Sequence, residues 1–137
     1  MRRGVKTAGL ALLTAVVAAA LAAFWLSRPQ PLAATALPPH AADPLNGEQL
    51  FHAGGCASCH GEGLAGGLAL ATAFGTFRVP NITPDPEAGI GGWSTLDFVN
   101  AMKRGVAPDG RHYYPAFPYT SYARMTLPDL LDLKAWL

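Results

Sequence analysis

The sequence predicts an all-α domain of three or more short helices, preceded by one amino-terminal transmembrane helix. Three observations carry this reading. An uncharged apolar run opens the chain, helix caps precede three short apolar-striped segments, and no segment shows the sustained period-2 alternation of a half-buried strand.

The opening "MRRGVK" carries Arg2, Arg3 and Lys6, and Ala8 to Leu26 holds no charge and one polar residue, Thr14. Nineteen residues at about 1.5 Å of rise make roughly 28 Å of helix, close to the ~30 Å hydrocarbon core of a bilayer. A cleaved signal peptide is the alternative, since Ala20-Leu21-Ala22 suits a cleavage site. The length of the run and the interfacial pair Phe24-Trp25 favour an uncleaved anchor over residues 1–26. The basic start keeps the amino terminus in the cytoplasm and exports the rest. Residues 27–44 hold five prolines and read as an extended, semi-rigid linker reaching roughly 55 Å at about 3.1 Å per residue, with His40 solvated.

The folded domain is expected over 45–137. In "LNGEQLFHAGGC", Asn46 with Gln49 has the form of a helix cap, Leu50 and Phe51 supply an apolar side, and Gly54-Gly55 stop the helix. Residues 61–92 are rich in glycine, proline and small side chains and read as loops. In "WSTLDFVNAMKRG", Ser94 caps a helix with Asp97 at its third position, Phe98, Val99 and Met102 form a stripe, and Gly105 ends it. A loop with a turn at Asp109-Gly110 follows. Then "MTLPDLLDLKAWL" caps a third helix with Thr126 and Asp129, takes Pro128 in its first turn, and buries Leu130, Leu133 and Trp136. The sequence stops at Leu137 without a cap, the pattern expected of a truncated longer protein. Six basic against eight acidic residues in 45–137 leave this part at a formal −2, so a nucleic-acid partner is not expected.

Three short helices with long loops bury too little apolar surface to offset about 1–2 kcal/mol of backbone entropy per ordered residue. Something other than side chains must complete the core. The stretch "CASCH" supplies the candidate: Cys56 and Cys59 are the only cysteines, and Cys-x-x-Cys-His is the attachment signal of c-type haem. Two thiols one short turn apart add to the vinyl groups along one side of the ring, and His60 is thereby placed beneath the iron. A redox disulfide would belong in a βαβ setting that is missing from the pattern, and a zinc site would have to recruit His52 or His112. One covalent haem is therefore expected. For the opposite axial position Met125, in a loop sixty-five residues after His60, is assigned ahead of Met102, which lies on a helix stripe, and of His112. A methionine ligand raises the potential and favours electron transfer over oxygen chemistry.

The stretches "NGEQLFHAGGCASCH", "GGLALATAFGTFRVPNITPDPEAGIGGWS", "FVNAMKRGVAPDGRHYYPAFPYTSYARM" and "LPDLLDLKAWL" resemble the monohaem domains of bacterial membrane-bound c-type cytochromes. The resemblance is greatest to the cytochrome subunits of periplasmic alcohol, aldehyde and gluconate dehydrogenases. It implies the class I cytochrome c fold, in which the first and last helices cross, with Phe51 and Trp136 in contact. It further implies that the Pro80 carbonyl bonds the free ring nitrogen of His60, and that Asn81, Trp93 and the tyrosines of 113–122 surround the haem. Some relatives carry "PAMP" where this chain has Ala116-Phe117-Pro118, which leaves Met125 as the ligand. The expected role is a single-electron carrier in the periplasm, held in the inner membrane. Its redox partners would be a dehydrogenase, a quinol-oxidising complex or another cytochrome. The rival is a haem enzyme domain, a peroxidase or small-molecule reductase, with open or His-ligated iron.

Overall fold

A computed structural model describes residues 2–137; Met1, the first residue of the expected anchor, lies outside the described residues. Helix α1 spans Arg2–Leu26. Its Thr7–Leu26 stretch has a mean hydropathy of 2.3 and none of it is buried against the rest of the chain. It is long and apolar enough to cross a membrane, a property that secretion signals share. Just beyond it the Arg28 guanidinium lies 3.9 Å from the Trp25 ring centre and 4.5 Å from that of Phe24. His112 then ties the exit of α1 to the domain, its Nε2 lying 2.9 Å from the Ser27 carbonyl oxygen.

The linker does not stand free. Leu32 donates its N–H to Asn100 Oδ1 at 2.6 Å, Leu32 and Leu37 pack on the core, and Ala34–Ala36 forms one 3₁₀ turn. His40, expected in solvent, has its Nε2 2.6 Å from Asp132 Oδ1, with its side chain 24% exposed. The prolines explain why docking wins over extension. They restrict the free chain beforehand, so less entropy is lost when its two leucines find an apolar surface.

Helix α2 spans Pro44–Ala53 and starts earlier than the sequence suggests. Asp43 caps it, accepting from Leu45 N at 2.9 Å, and Pro44 takes the first turn where no amide donor is needed. Asn46, the expected cap, instead donates through Nδ2 to Asp132 Oδ2 at 2.8 Å. Two four-residue helices are additional to those the caps mark: α3, Ala57–His60, and, after the longer α4, Thr95–Arg104, the short α5, Tyr119–Tyr122. Helix α6 spans Leu127–Trp136. The capping boxes Ser94/Asp97 on α4 and Thr126/Asp129 on α6 form as expected, and Gly105 closes α4 in the left-handed conformation.

The all-α expectation needs one correction. Residues 69–78, read as loop, form an antiparallel hairpin of β1, Ala69–Thr72, and β2, Gly75–Arg78, paired Ala69 to Arg78 through Thr72 to Gly75. Its turn, Ala73-Phe74, lacks the Asn-Gly or Asp-Gly signature of a tight hairpin. Thr72 supplies the missing turn chemistry, its hydroxyl donating to the Gly75 carbonyl at 2.8 Å.

The core lies where α2 crosses α6, with α4 against α6. Phe51, Val99, Leu130 and Leu133 are fully buried. Phe51 meets the half-buried Trp136 with ring centres 4.7 Å apart. Gly47 sits at the crossing: a side chain there would strike the Asp132 carbonyl and come within 2.8 Å of Trp136 Cβ.

Asp132 joins linker, α2 and α6. Its buried carboxylate accepts from Asp43 N at 2.7 Å, Asn46 Nδ2 at 2.8 Å and His40 Nε2 at 2.6 Å. These bonds, the Asp43 amide foremost, hold its carboxyl down at about 2. The folded state thus binds this proton less tightly than the unfolded chain does, whose carboxyl titrates near 3.9. The stabilisation is present above about pH 4 and is lost as pH falls toward 2. Urea midpoints measured from pH 7 to pH 2 are expected to fall across that window. Asp132→Asn should lower the neutral midpoint and flatten the acid limb; an unaltered limb would show that the network carries no such linkage.

Candidate functional site

The segment after α2 builds one side of the site. The Cys56 N–H donates to the Phe51 carbonyl at 3.1 Å, closing α2, and the chain immediately enters the single turn of α3. His60 N donates to the Cys56 carbonyl at 2.9 Å, so two thiols and an imidazole share one turn of helix. No bond joins the two cysteines, and Cys56 is half-buried while Cys59 is exposed. Cys56, Cys59 and His60 all line a cavity of about 380 Å³ whose remaining walls are chiefly apolar.

The His60 ring is oriented from behind. Its Nδ1 lies 2.9 Å from the Pro80 carbonyl oxygen. A carbonyl can only accept, so Nδ1 carries the proton and the lone pair is left on Nε2, the arrangement of a metal-binding imidazole. Burial lowers the pKa of His60, with the Pro80 bond opposing, so the ring is held neutral. The loop passes close behind Pro80 because residue 66 is glycine; a side chain there would strike the Pro80 carbonyl. Burial likewise pushes the Cys56 thiol up, with a contact from Tyr122 opposing. Tyr122 also donates its hydroxyl to the Gly54 carbonyl at 3.2 Å, bracing the turn that carries Cys56.

The cavity is also walled by Phe98, Ala101 and Met102 of α4 and by Ile90 and Trp93. The hairpin covers one side, with Phe77 stacked on Tyr114 at 4.7 Å and 16°. Tyr113, Phe117 and Tyr122 complete it. Of the residues singled out from sequence, Cys56, Cys59, His60, Pro80 and Trp93 come together on this cavity. Asn81 and Met125 are not on its wall. Asn81 Oδ1 instead accepts from Thr83 N at 2.7 Å, shaping the following turn. Met125 is half-buried against the core between α5 and α6. His112 is engaged with Ser27, away from the cavity. The hairpin residues Leu70 and Phe77, and Val79 just beyond β2, also line the cavity, with little in the sequence to mark them. Their only signal was the short alternation Thr76-Phe77-Arg78-Val79 in a glycine-rich run.

A crossed-helix domain with two thiols and a Nε2-directed imidazole on one apolar cavity defines the class of domains that hold haem covalently. The donor set and the apolar walls fit that group. The family model for cytochrome c matches residues 45–137. A diheme c-type cytochrome of Cereibacter sphaeroides is 49% identical over the whole of this chain, which covers 48% of that protein. The gluconate 2-dehydrogenase cytochrome c subunit of Pantoea cypripedii is 47% identical over 66% of this chain and 21% of its own length. The cytochrome c subunit of a quinone-dependent alcohol dehydrogenase of Gluconobacter oxydans is 39% identical over 66% of this chain and 20% of its own. The chain belongs to the cytochrome c family and has its mostly helical fold. It spans half or less of the length of these relatives.

Proposed function

We propose that this chain is a membrane-tethered, periplasmic electron-transfer domain with a single haem, passing electrons from a dehydrogenase or quinol-oxidising complex to a downstream acceptor. The observation that carries the reading is the convergence of the one Cys-x-x-Cys-His motif on the apolar cavity. Bound there, haem supplies a one-electron Fe(III)/Fe(II) couple. Cys56 and Cys59 would hold it as thioethers, and His60 would be the proximal ligand through Nε2. Pro80 fixes the His60 tautomer and raises its basicity. Phe77, Phe98 and Tyr113, which line the cavity, would exclude water from the ring. Helix α1 supplies the anchor, with Arg2, Arg3 and Lys6 on the cytoplasmic side. The dehydrogenase partner is supported by the names of the relatives, which include cytochrome subunits of gluconate and alcohol dehydrogenases.

In this reading Met125, which this structure keeps off the cavity wall at the core between α5 and α6, would supply the second iron ligand from its loop, and Met102, on the wall but within α4, is packing. Met125→Ala should keep the haem attached, abolish the near-infrared methionine-to-iron band and lower the potential on the order of 100 mV, a fraction of the range that axial ligands span. Met102→Leu should leave both nearly unchanged. The reverse pattern would transfer the ligand role to Met102. Rapid carbon monoxide binding by the reduced wild type would favour the enzyme reading instead.

A further inference from the structure

Met125 is held by its backbone from several directions. Its N–H donates to the Tyr122 carbonyl at 3.0 Å, and Thr126, the next residue, is locked as the cap of α6. Its carbonyl accepts from Lys103 Nζ at 2.6 Å, and the same ammonium reaches the Ala123 carbonyl at 2.9 Å. Lys103 extends from the last turn of α4, whose neighbouring Phe98, Val99 and Met102 are buried in the core. The ion pairs among the described residues are His40–Asp132 and Arg111–Asp109, so the Lys103 ammonium is bonded to loop carbonyls rather than to a carboxylate. Hydrogen bonds with an ionised donor are shorter and stronger than neutral ones, and two from one ammonium fix two points of a single loop.

We infer that Lys103 is a positioning residue for Met125: its ammonium clamps the 123–125 backbone to α4, so that the thioether is retained on iron against competing ligands. The inference rests on the reading of Met125 as axial ligand. Without the clamp the loop keeps only the Met125–Tyr122 bond and the α6 cap, and opens more often. A loop that opens more often leaves the sixth position exposed for a larger fraction of time, and the apparent affinity of an external ligand rises by that fraction. The favourable interaction of Lys103 with the carboxyl end of α4 is a separate, merely structural role, and it would leave ligand exchange at iron unmoved.

The test uses the full-length haem-loaded protein, with imidazole as probe for the ferric form and carbon monoxide for the ferrous form. Lys103→Met should bind imidazole at least tenfold more tightly and show a weakened near-infrared methionine band at neutral pH. Lys103→Arg, which keeps donors for both carbonyls, should recover most of the band and of the resistance to imidazole. Should Lys103→Met fail to mature, Lys103→Gln is measured in its place, with the same direction expected. Wild-type imidazole affinity and an undiminished band in the Lys103 variants, alongside loss of the band in Met125→Ala, would overturn the clamp and leave the ligand reading standing. A band that survives Met125→Ala would overturn the ligand reading and the clamp together.

Discussion

Cys59→Ser is expected to leave the domain poorly folded as well as pale. The cavity beside Cys59 measures about 380 Å³ and borders Phe51, Phe98 and Leu133, the residues of the main core. At about 24 cal/mol per Å³ of unfilled cavity, leaving it empty would forfeit on the order of 9 kcal/mol, comparable with the entire stability of an ordinary domain. The cavity opens to solvent in part, so this figure is an upper bound. Even half of it is decisive for about 93 residues with three helices of any length. Haem content by pyridine haemochrome and helicity by far-ultraviolet circular dichroism should fall together. Recovery of a compact, cooperatively unfolding helical domain without haem would contradict the role assigned to the cavity.

Gly47→Val is expected to be the most damaging substitution away from the cavity. The Asp132 carbonyl and Trp136 Cβ leave no room for a side chain at the crossing of α2 and α6. Neither obstacle is the movable tip of a flexible side chain, so the helices themselves must part. Overpacking alone costs about 1–3 kcal/mol, and separation here also loosens Phe51 from Trp136 and disturbs the bonds made by Asp132. Gly47→Ala should lose about 2 kcal/mol and Gly47→Val more, with haem retained in the surviving folded fraction. Urea unfolding followed by absorbance and circular dichroism measures both; wild-type midpoints would show that the helices tolerate a wider crossing.

What could be read ahead of the structure was governed by range. The capping boxes at Ser94 and Thr126 are completed within three residues, and the haem signal within five, so each was legible locally. Long-range partners were less so. Asn46 looked like a cap because Gln49 follows it, but Asp43 is better placed once Pro44 can open the helix, and Asn46 is drawn to Asp132, eighty-six residues away. The hairpin is hard to read because its partners Leu70 and Phe77 are set among glycine and alanine, its turn is held by the Thr72 side chain rather than by a signature pair, and Phe77 stacks on the distant Tyr114. Phe51 and Trp136 came from family resemblance; nothing in their local sequence pairs them. Placement of Met125 depends on Lys103 and Tyr122, neither of which announces a role in the sequence.

The docked linker alters what kind of electron carrier this domain can be. Eighteen flexible residues would have a root-mean-square span of roughly 23 Å and would let the domain tumble through a hemisphere above the membrane, sampling partners at a high effective concentration in every orientation. Pinned at Ser27, Leu32 and His40, the same residues leave no such freedom. Were α1 seated in a bilayer as proposed, the cavity mouth would face one direction relative to the membrane plane. Under the proposed anchoring, selectivity between donors would arise from their height and bearing rather than from affinity. A partner whose redox centre lay outside that bearing would be excluded without any repulsive contact.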